Sequence, residues 1–306
     1  MIKIFYPKSA ELKDASITKI LKGSWVHIEN PSEQDIGQLA VDLKLDTDML
    51  LDGIDQNETP RIEKYDGNTY LYVRYCLPES EKLTTSPMLI VMTSDYLVTV
   101  CYKPFTHFDT VQKKDIQTSK RSQLLMEILS EINEGYKRRI NSVSKRIWQI
   151  RSGLDKAHIN NKDFIAFIDI EEDLSDFLMA LEPMNTALNN LMAGKYFRIN
   201  EDDRDSIEDF ELSTEELIGL AQSRLRTIQN IREAYSTMTA NNLNKVFKLM
   251  TSITILMSVF TIITGIYSMN VPLPLYHNPS VFWVILGVSI SVISVLAILF
   301  RRKKWL

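Results

Sequence analysis

Residues 249–270 read LMTSITILMSVFTIITGIYSMN, an apolar run that ends in a polar tripeptide, Ser268-Met269-Asn270, just ahead of the short segment VPLP at 271–274. The run carries no Asp, Glu, Lys or Arg, and it is long enough to cross the roughly 30 Å of a bilayer's hydrocarbon. A second stretch, VFWVILGVSISVISVLAILF at 281–300, shares both properties, so the chain holds no formal charge between 249 and 300. Two buried helices of a soluble core are the competing reading. A core helix is expected to keep a polar side, however, and neither stretch has a charged face. The pair is therefore read as a membrane hairpin of two spans, placed too far along the chain for a signal sequence.

Working outward, the averages conceal this division. The 306 residues are 45% hydrophobic and 24% charged with a formal net charge of -4, the profile of an ordinary soluble protein. The charge is confined to one part: residues 120–248 carry it at nearly every helical turn. Lys245 and Lys248 precede the first span and Arg301, Arg302, Lys303 and Lys304 follow the second, while the segment between has no cation. The positive-inside rule then places both termini in the cytoplasm of a multi-pass protein of the cell membrane. Cys76 and Cys101 would lie in a reducing compartment as free thiols, at a spacing that matches no zinc or redox motif.

The water-soluble part reads as α+β. Residues 1–118 form an α/β domain in which 24–30, 69–77, 87–95 and 96–102 are rich in β-branched and aromatic residues and are expected as strands. Ser32 is an N-cap candidate ahead of Ile36, Leu39, Ala40 and Leu43 at helical spacing. Asp66-Gly67-Asn68 is a hairpin-type turn. Residues 119–200 form long antiparallel helices, with Leu124, Leu125, Ile128, Leu129, Ile132, Tyr136, Ile140, Val143, Ile147 and Ile150 making one stripe and Pro183 expected to kink or break the second helix. Residues 201–248 comprise an acidic segment and a stalk helix. Of the acidic segment, 201–216, two readings stand: a solvated helix face and turn, or a surface that attracts divalent cations through its nine carboxylates. Leu217, Ala221, Arg224, Ile228, Ile231, Tyr235, Met238 and Asn242 then recur at steps of four and three. This predicts a helix of some fifty residues, about 75 Å long, running into the first span, 249–270, with a seam that wants partner copies. Residues 271–280 are an external loop, and 281–306 the second span and basic tail.

The hydroxyls of the first span are ordered. Phe247, Thr251, Thr254, Ser258, Thr261, Gly265 and Ser268 follow Asn244 at steps of three and four and share one helix face. Each hydroxyl could simply bond its own helix backbone or mediate packing. A line of them continuing the stalk seam also suits a pore assembled from several copies, each lending a neutral polar stripe along which an ion keeps its water. Mg²⁺ gives up its water most reluctantly.

Together these features resemble the CorA-type magnesium transporter family, over essentially the whole chain. The motif carrying the resemblance is Tyr267-Ser268-Met269-Asn270, which differs from the family's Tyr-Gly-Met-Asn at one position. Asn244 and the tail Arg301-Arg302-Lys303-Lys304-Trp305-Leu306 support it. The resemblance implies a funnel-shaped homopentamer, the chain with four further copies of itself, in which the first spans line the pore. Asn270 would ring the external mouth and touch a hydrated divalent cation through its side-chain oxygen, with residue 268 contributing its main-chain carbonyl. Asn244 would form the cytoplasmic ring, Phe247 and Met250 the apolar constriction, and Thr261 and Gly265 the wider outer half. Asp52 and Asp209 would bind Mg²⁺ between subunits and close the channel when internal supply suffices.

Three departures bear on these expectations. Ser268 stands where the family keeps a glycine; if the position needs a left-handed backbone, the side chain costs roughly 1 kcal/mol. The loop has no carboxylate and carries His277, read as incidental; Ser258 stands where an apolar residue is usual and shortens the constriction.

The functional expectation is Mg²⁺ uptake, extending to Co²⁺ and Ni²⁺, driven by the membrane potential and gated by intracellular Mg²⁺. Zn²⁺, Ni²⁺ or less selective transport through the altered signature is the alternative, as is a non-conducting divalent sensor anchored in the lipid bilayer. An enzyme is not expected: there is no Gly-rich phosphate loop and no Cys/His or Ser/His/Asp constellation. His27, His107 and His158 are scattered. Mg²⁺ is thus both cargo and regulatory ligand, with no organic cofactor, ATP or nucleic acid.

Overall fold

The computed structural model describes residues 2–6, 9–13, 20–78, 84–113, 118–154, 161–192, 201–269, 271 and 280–305. The chain divides into two compact units, Met1–Gln229 and Asn230–Leu306.

The first unit is built on a mixed sheet of β1 (Ile2–Tyr6), β2 (Ser9–Lys13), β3 (Trp25–Glu29), β4 (Arg61–Tyr65), β5 (Asn68–Cys76), β6 (Thr85–Met92) and β7 (Leu97–Cys101), in the order β2-β1-β3-β7-β6-β5-β4. β3 and β7 are parallel and the other neighbours antiparallel. The four strands expected from sequence are β3, β5, β6 and β7; β1, β2 and β4 are additions. Every residue of β6 and β7 is buried, because helices cover the sheet on both faces and a doubly covered strand needs apolar side chains at each position. Asp66 and Gly67, with φ of 47° and 77°, make the two-residue turn that joins Tyr65 to Asn68 in register, a positive-φ turn that matches the right-handed twist of the flanking strands.

One face carries α1 (Glu33–Leu43) and α2 (Thr47–Asp52). Ser32 caps α1 in a capping box: its Oγ accepts from the Asp35 amide at 3.2 Å, and Asp35 Oδ2 accepts from the Ser32 amide at 2.8 Å. Ile36, Leu39, Ala40 and Leu43 then pack on Val26, Ile28, Tyr70, Tyr72, Leu89, Val91, Val98 and Val100. Gly53 ends α2 so close to the sheet that a Cβ there would lie 2.6 Å from Leu89 Cβ. Its φ of -63° is ordinary, so the demand for glycine is purely steric.

The opposite face carries α3 (Phe108–Lys113), α4 (Arg121–Leu154) and α5 (Asn161–Met192). His27 is buried there, its ring 4.2 Å from that of Phe108, with Nδ1 2.7 Å from Thr99 Oγ1 and Nε2 3.1 Å from Glu29 Oε1. The α4 stripe from Leu124 to Ile147 is buried as its spacing predicts, and Ile150 is half-buried. Tyr136 of α4 donates to the Arg74 carbonyl at 3.0 Å and sets its ring edge-on to Phe177 of α5. α5 runs unbroken through Pro183, so of the expected kink or break the break does not occur. Pro183 and Met179, whose carbonyl loses its amide partner to the proline, line an open groove. Cys76 and Cys101 are free and buried, and burial raises both thiols well above their ordinary pKa.

The last two helices are α6 (Glu201–Tyr267) and α7 (Val281–Arg302). α6 has 67 residues, about 100 Å at 1.5 Å each, longer than the stalk expected from sequence. The difference lies at its start: the acidic segment is not a turn before the helix but its first turns. Ile207, Phe210, Thr214, Leu217, Ala221 and Ile228 are buried at helical spacing, and Asn133 Nδ2 of α4 donates to Thr214 Oγ1 at 3.0 Å. Asp205, Glu208, Asp209, Glu215 and Glu216 are exposed between these buried positions. Leu217, Ala221 and Ile228 of the expected partner seam are thus used inside the first unit.

No residue from 229 to 251 is buried, and in the second unit only Ser252 of α6 and Ser289 of α7 are buried among the described residues. Both helices are long and apolar enough to cross a membrane.

Two expectations follow from the packing of the first unit. Burial holds the His27 imidazole below its ordinary pKa, only partly offset by Glu29. The unfolded chain therefore takes up a proton near pH 6.5 that the folded unit refuses, so stability is full above that pH and falls as the pH drops below it. Thermal unfolding of the full chain from pH 7.5 to 5.5 will show a declining midpoint, and His27→Gln will flatten the decline. Gly53→Ala overpacks α2 against Leu89 and will cost about 1–3 kcal/mol, read from the denaturation midpoint.

Candidate functional site

Two sets of residues were singled out in the sequence, and each falls on a different unit. The first is the polar stripe of α6. Asn244, Phe247, Met250, Thr251, Thr254, Ser258, Thr261, Gly265 and Ser268 are all exposed in the single chain. Phe247 and Met250 are 57% and 61% exposed.

The hydroxyls sort into two groups. Thr254 Oγ1 donates to the Met250 carbonyl at 2.9 Å, Thr261 Oγ1 to Met257 at 3.0 Å, and Ser268 Oγ to Gly265 at 2.8 Å. Bonding to the helix's own backbone, one of the two readings left open, is thus realised at Thr254, Thr261 and Ser268. It does not silence these groups. A hydroxyl whose proton is committed to a carbonyl turns only lone pairs outward, and the water around a metal cation points its hydrogens outward. Thr254, Thr261 and Ser268 thus present acceptor lone pairs outward, chemistry that suits a hydrated cation. The second group is Ser252 and Ser289, which are buried and back-bond to Lys248 and Ile285 at 2.7 and 2.8 Å. Small residues let membrane helices approach closely, so packing is served by hydroxyls off the stripe.

α6 ends at Tyr267. Ser268 closes it with its amide on the Thr264 and Gly265 carbonyls at 3.1 and 3.2 Å, and the Met269 amide follows on Ile266 at 3.3 Å. Positive φ among described non-glycine residues is confined to Asn30, Lys44, Asp66 and Lys304. Ser268 is not strained, and the anticipated penalty for replacing glycine does not arise. Gly265 faces open space in the single chain. Asn270, His277 and His158 lie outside the described residues.

At the far end of the hairpin, α7 finishes in a Schellman motif. The Lys304 amide donates to Arg301 at 3.1 Å, the Trp305 amide to Phe300 at 2.9 Å, and Lys304 takes a φ of 58°. Trp305 folds back to stack on Phe300, 5.7 Å between ring centres. Arg301, Arg302, Lys303 and Lys304 stand exposed at the negative end of the helix dipole.

The second set is the carboxylate pair, both in the first unit. Asp52 is the last residue of α2 and is half-buried; Asp209 is exposed on α6, between the buried Ile207 and Phe210 that fix its side of the helix. Asp52 is bonded to Arg61 of β4, Nη2 to Oδ2 at 2.8 Å. Arg61 also reaches Glu63 at 2.7 Å and Glu58, and lies 3.9 Å over the Tyr72 ring. Arg74 of β5 pins the connecting segment, donating to the Gln56 and Glu58 carbonyls at 2.8 and 2.9 Å. Carboxylate oxygens of this kind suit a hard cation such as Mg²⁺. Among the described residues, however, no group of three or more His, Cys, Asp or Glu is arranged to hold a metal within one chain. Sequence reasoning missed Arg61, Arg74 and Gly53. A signal for the first existed in PRIE at 60–63, where Arg61 and Glu63 at i, i+2 share one side of a strand.

The chain matches the family described as CorA-like Mg²⁺ transporter protein over residues 22–302. It is 25% identical over 297 residues to the cobalt/magnesium transport protein CorA of Methanocaldococcus jannaschii, covering 92% of this chain and 91% of that one. To the magnesium transport protein CorA of Helicobacter pylori it is 25% identical over 243 residues, 74% of this chain and 73% of the relative. Among solved structures, the complete structure of the CorA magnesium transporter from Methanocaldococcus jannaschii shares the fold with a TM-score of 0.88 at 21% identity, over 100% of this chain and 99% of that one. With the mixed sheet domain, the long helices and the two apolar spans in place, the chain belongs to the CorA-like Mg²⁺ transporter family, whose members are transporters of divalent cations and not enzymes.

Proposed function

We propose that this chain is one subunit of a homopentameric channel in the cell membrane that takes up Mg²⁺, with Co²⁺ and Ni²⁺ as further cargo. The observation that carries the reading is the exposed hydroxyl stripe of α6, which runs from Thr251 through Thr254 and Ser258 to Thr261 and ends beside the Tyr267-Ser268-Met269-Asn270 signature. One helix encloses nothing, but five related by a rotation axis enclose a path lined by these hydroxyls. The bare surface of residues 229–251, with Leu243, Val246, Phe247 and Met250 all exposed, supports the presence of partner copies.

In this reading Asn270 forms the outer mouth and its amide oxygen accepts from the water shell of the entering cation, with the Ser268 carbonyl beside it. The neutral lining beyond it does not trap the ion, because no fixed carboxylate competes for it. Phe247 and Met250 form an apolar constriction that closes by excluding water, and Asn244 the polar ring below it. With both termini in the cytoplasm, each divalent ion moving inward gains roughly 5 kcal/mol per 100 mV of potential, so no nucleotide is needed. Asp52 of one subunit and Asp209 of the next hold Mg²⁺ between them and keep the channel closed when the internal concentration is high. The names and functions of the relatives support Mg²⁺ and Co²⁺ as cargo.

Uptake of Mg²⁺, Co²⁺, Ni²⁺ and Zn²⁺ into liposomes holding the purified chain, under an inward-negative potential, tests the proposal. Mg²⁺ flux is expected, and Asn270→Ala will lower its initial rate about ten-fold or more; absence of any divalent flux would leave a non-conducting sensor as the better reading. Ser268→Gly removes only a bond within the helix, so the ratio of Mg²⁺ to Ni²⁺ flux will stay within about two-fold of the parent. A ten-fold change would put the Ser268 side chain in the ion's path.

A further inference from the structure

Arg61 occupies an unusual position for a surface cation. It sits on the edge strand β4 with its side chain 31% exposed, its guanidinium on the Tyr72 ring and its nitrogens shared among Asp52, Glu58 and Glu63. Tyr72 is itself fixed, donating to the Met49 carbonyl of α2 at 2.9 Å. The guanidinium is therefore held by stacking and by a fork of charge-assisted bonds, which makes it far less mobile than a lysine on a flexible stem. Three carboxylates around one guanidinium leave an excess of two negative charges, the charge of one divalent cation.

We propose that Arg61 is the resident counter-cation of Asp52 and sets the Mg²⁺ concentration at which the regulatory site fills. The inference rests on the reading of Asp52 as a regulatory carboxylate. A Mg²⁺ ligand oxygen lies about 2.0–2.1 Å from the metal. Asp52 Oδ2, already 2.8 Å from Nη2, cannot approach a metal that closely without bringing two cations together. Where the divalent ion takes Oδ2, binding is an exchange: the guanidinium leaves Asp52, keeping Glu58 and Glu63, and the ion takes its place. The apparent affinity is lowered by the strength of the pair that is broken, and the site stays open until internal Mg²⁺ is abundant. Arg61 is a positioning residue in this scheme; it touches the regulatory carboxylate and not the transported ion.

The test titrates MgCl₂ against the full-length protein in detergent and follows the rise in thermal midpoint, which reports binding to the folded state. Internal Mg²⁺ inhibition of liposome flux is followed in parallel. Arg61→Gln will lower the half-saturating Mg²⁺ concentration in both measurements by about ten-fold, the worth of one charge-assisted bond. Arg61→Lys keeps the charge without the fork and will give a smaller shift in the same direction. Should Arg61→Gln fail to fold, the Lys variant decides: an unchanged or weakened Mg²⁺ response overturns the proposal. Asp52→Asn separates the two ideas. If it leaves the Mg²⁺ response intact, the regulatory reading of Asp52 falls. If it abolishes the response while neither Arg61 variant tightens it, the regulatory reading stands and the counter-cation role is overturned. In Asp52→Asn/Arg61→Gln no tightening is expected; tightening that survives there would mean the ion has gone to Glu58 and Glu63, which also overturns it.

Discussion

Hydrocarbon offers a peptide group no hydrogen-bond partner, and this constraint shapes the second half of the chain. α6 meets it by being one unbroken helix from Glu201 to Tyr267, so that its backbone groups are satisfied before any side chain is considered. The hydroxyls add nothing to that ladder that it needs, but their protons find their only convenient acceptors in it. Where Thr254, Thr261 and Ser268 bond back to that ladder, their polarity is presented as lone pairs. In the proposed pore such groups would favour a cation that arrives wrapped in water with its hydrogens outward.

The same helix is held at its other end by ordinary burial. Ile207, Phe210, Thr214, Leu217, Ala221 and Ile228 anchor it to the first unit, and the anchoring ends abruptly after Ile228. Beyond that point the helix is mixed in character, with Met238, Leu243, Val246 and Phe247 exposed among polar side chains. Roughly 25 cal/mol for each Å² of apolar surface is at stake along such a face, which neither a lone chain in water nor the aqueous length of the stalk can leave exposed. Partner copies, as proposed, would cover these side chains on the part of α6 between its anchor and the first span, independently of what the pore conducts.

Much of this was legible in sequence, for definite physical reasons. The two spans were legible because a lack of charge over 249–300 has few explanations, and β5, β6 and β7 because strands covered on both faces carry β-branched and aromatic residues without interruption. β4 was missed because an edge strand has one covered face and little else: of Arg61 to Tyr65 only Ile62 is buried, and the charges that discourage edge pairing also disguise the strand. The start of α6 was misplaced because nine carboxylates overwhelm the signal of Ile207 and Phe210 among them. Asp52 was named in sequence, yet its partner was not, since Arg61 meets it only through the folding of α2 against β4. Gly53 could not have been read at all: its necessity is a distance to Leu89.

The two native thiols have a practical consequence. Cys76 and Cys101 are buried in the sheet domain and held in the unreactive protonated form, so maleimides and methanethiosulfonates have no thiolate to attack in the folded protein. A reporter cysteine placed at Thr251, Thr254 or Ser258 would be the one reactive thiol on each subunit without any prior removal of the native pair. The wild-type background is in effect already cysteine-silent, and spin labels or fluorophores can be set along the length of α6 in a protein whose core has not been altered.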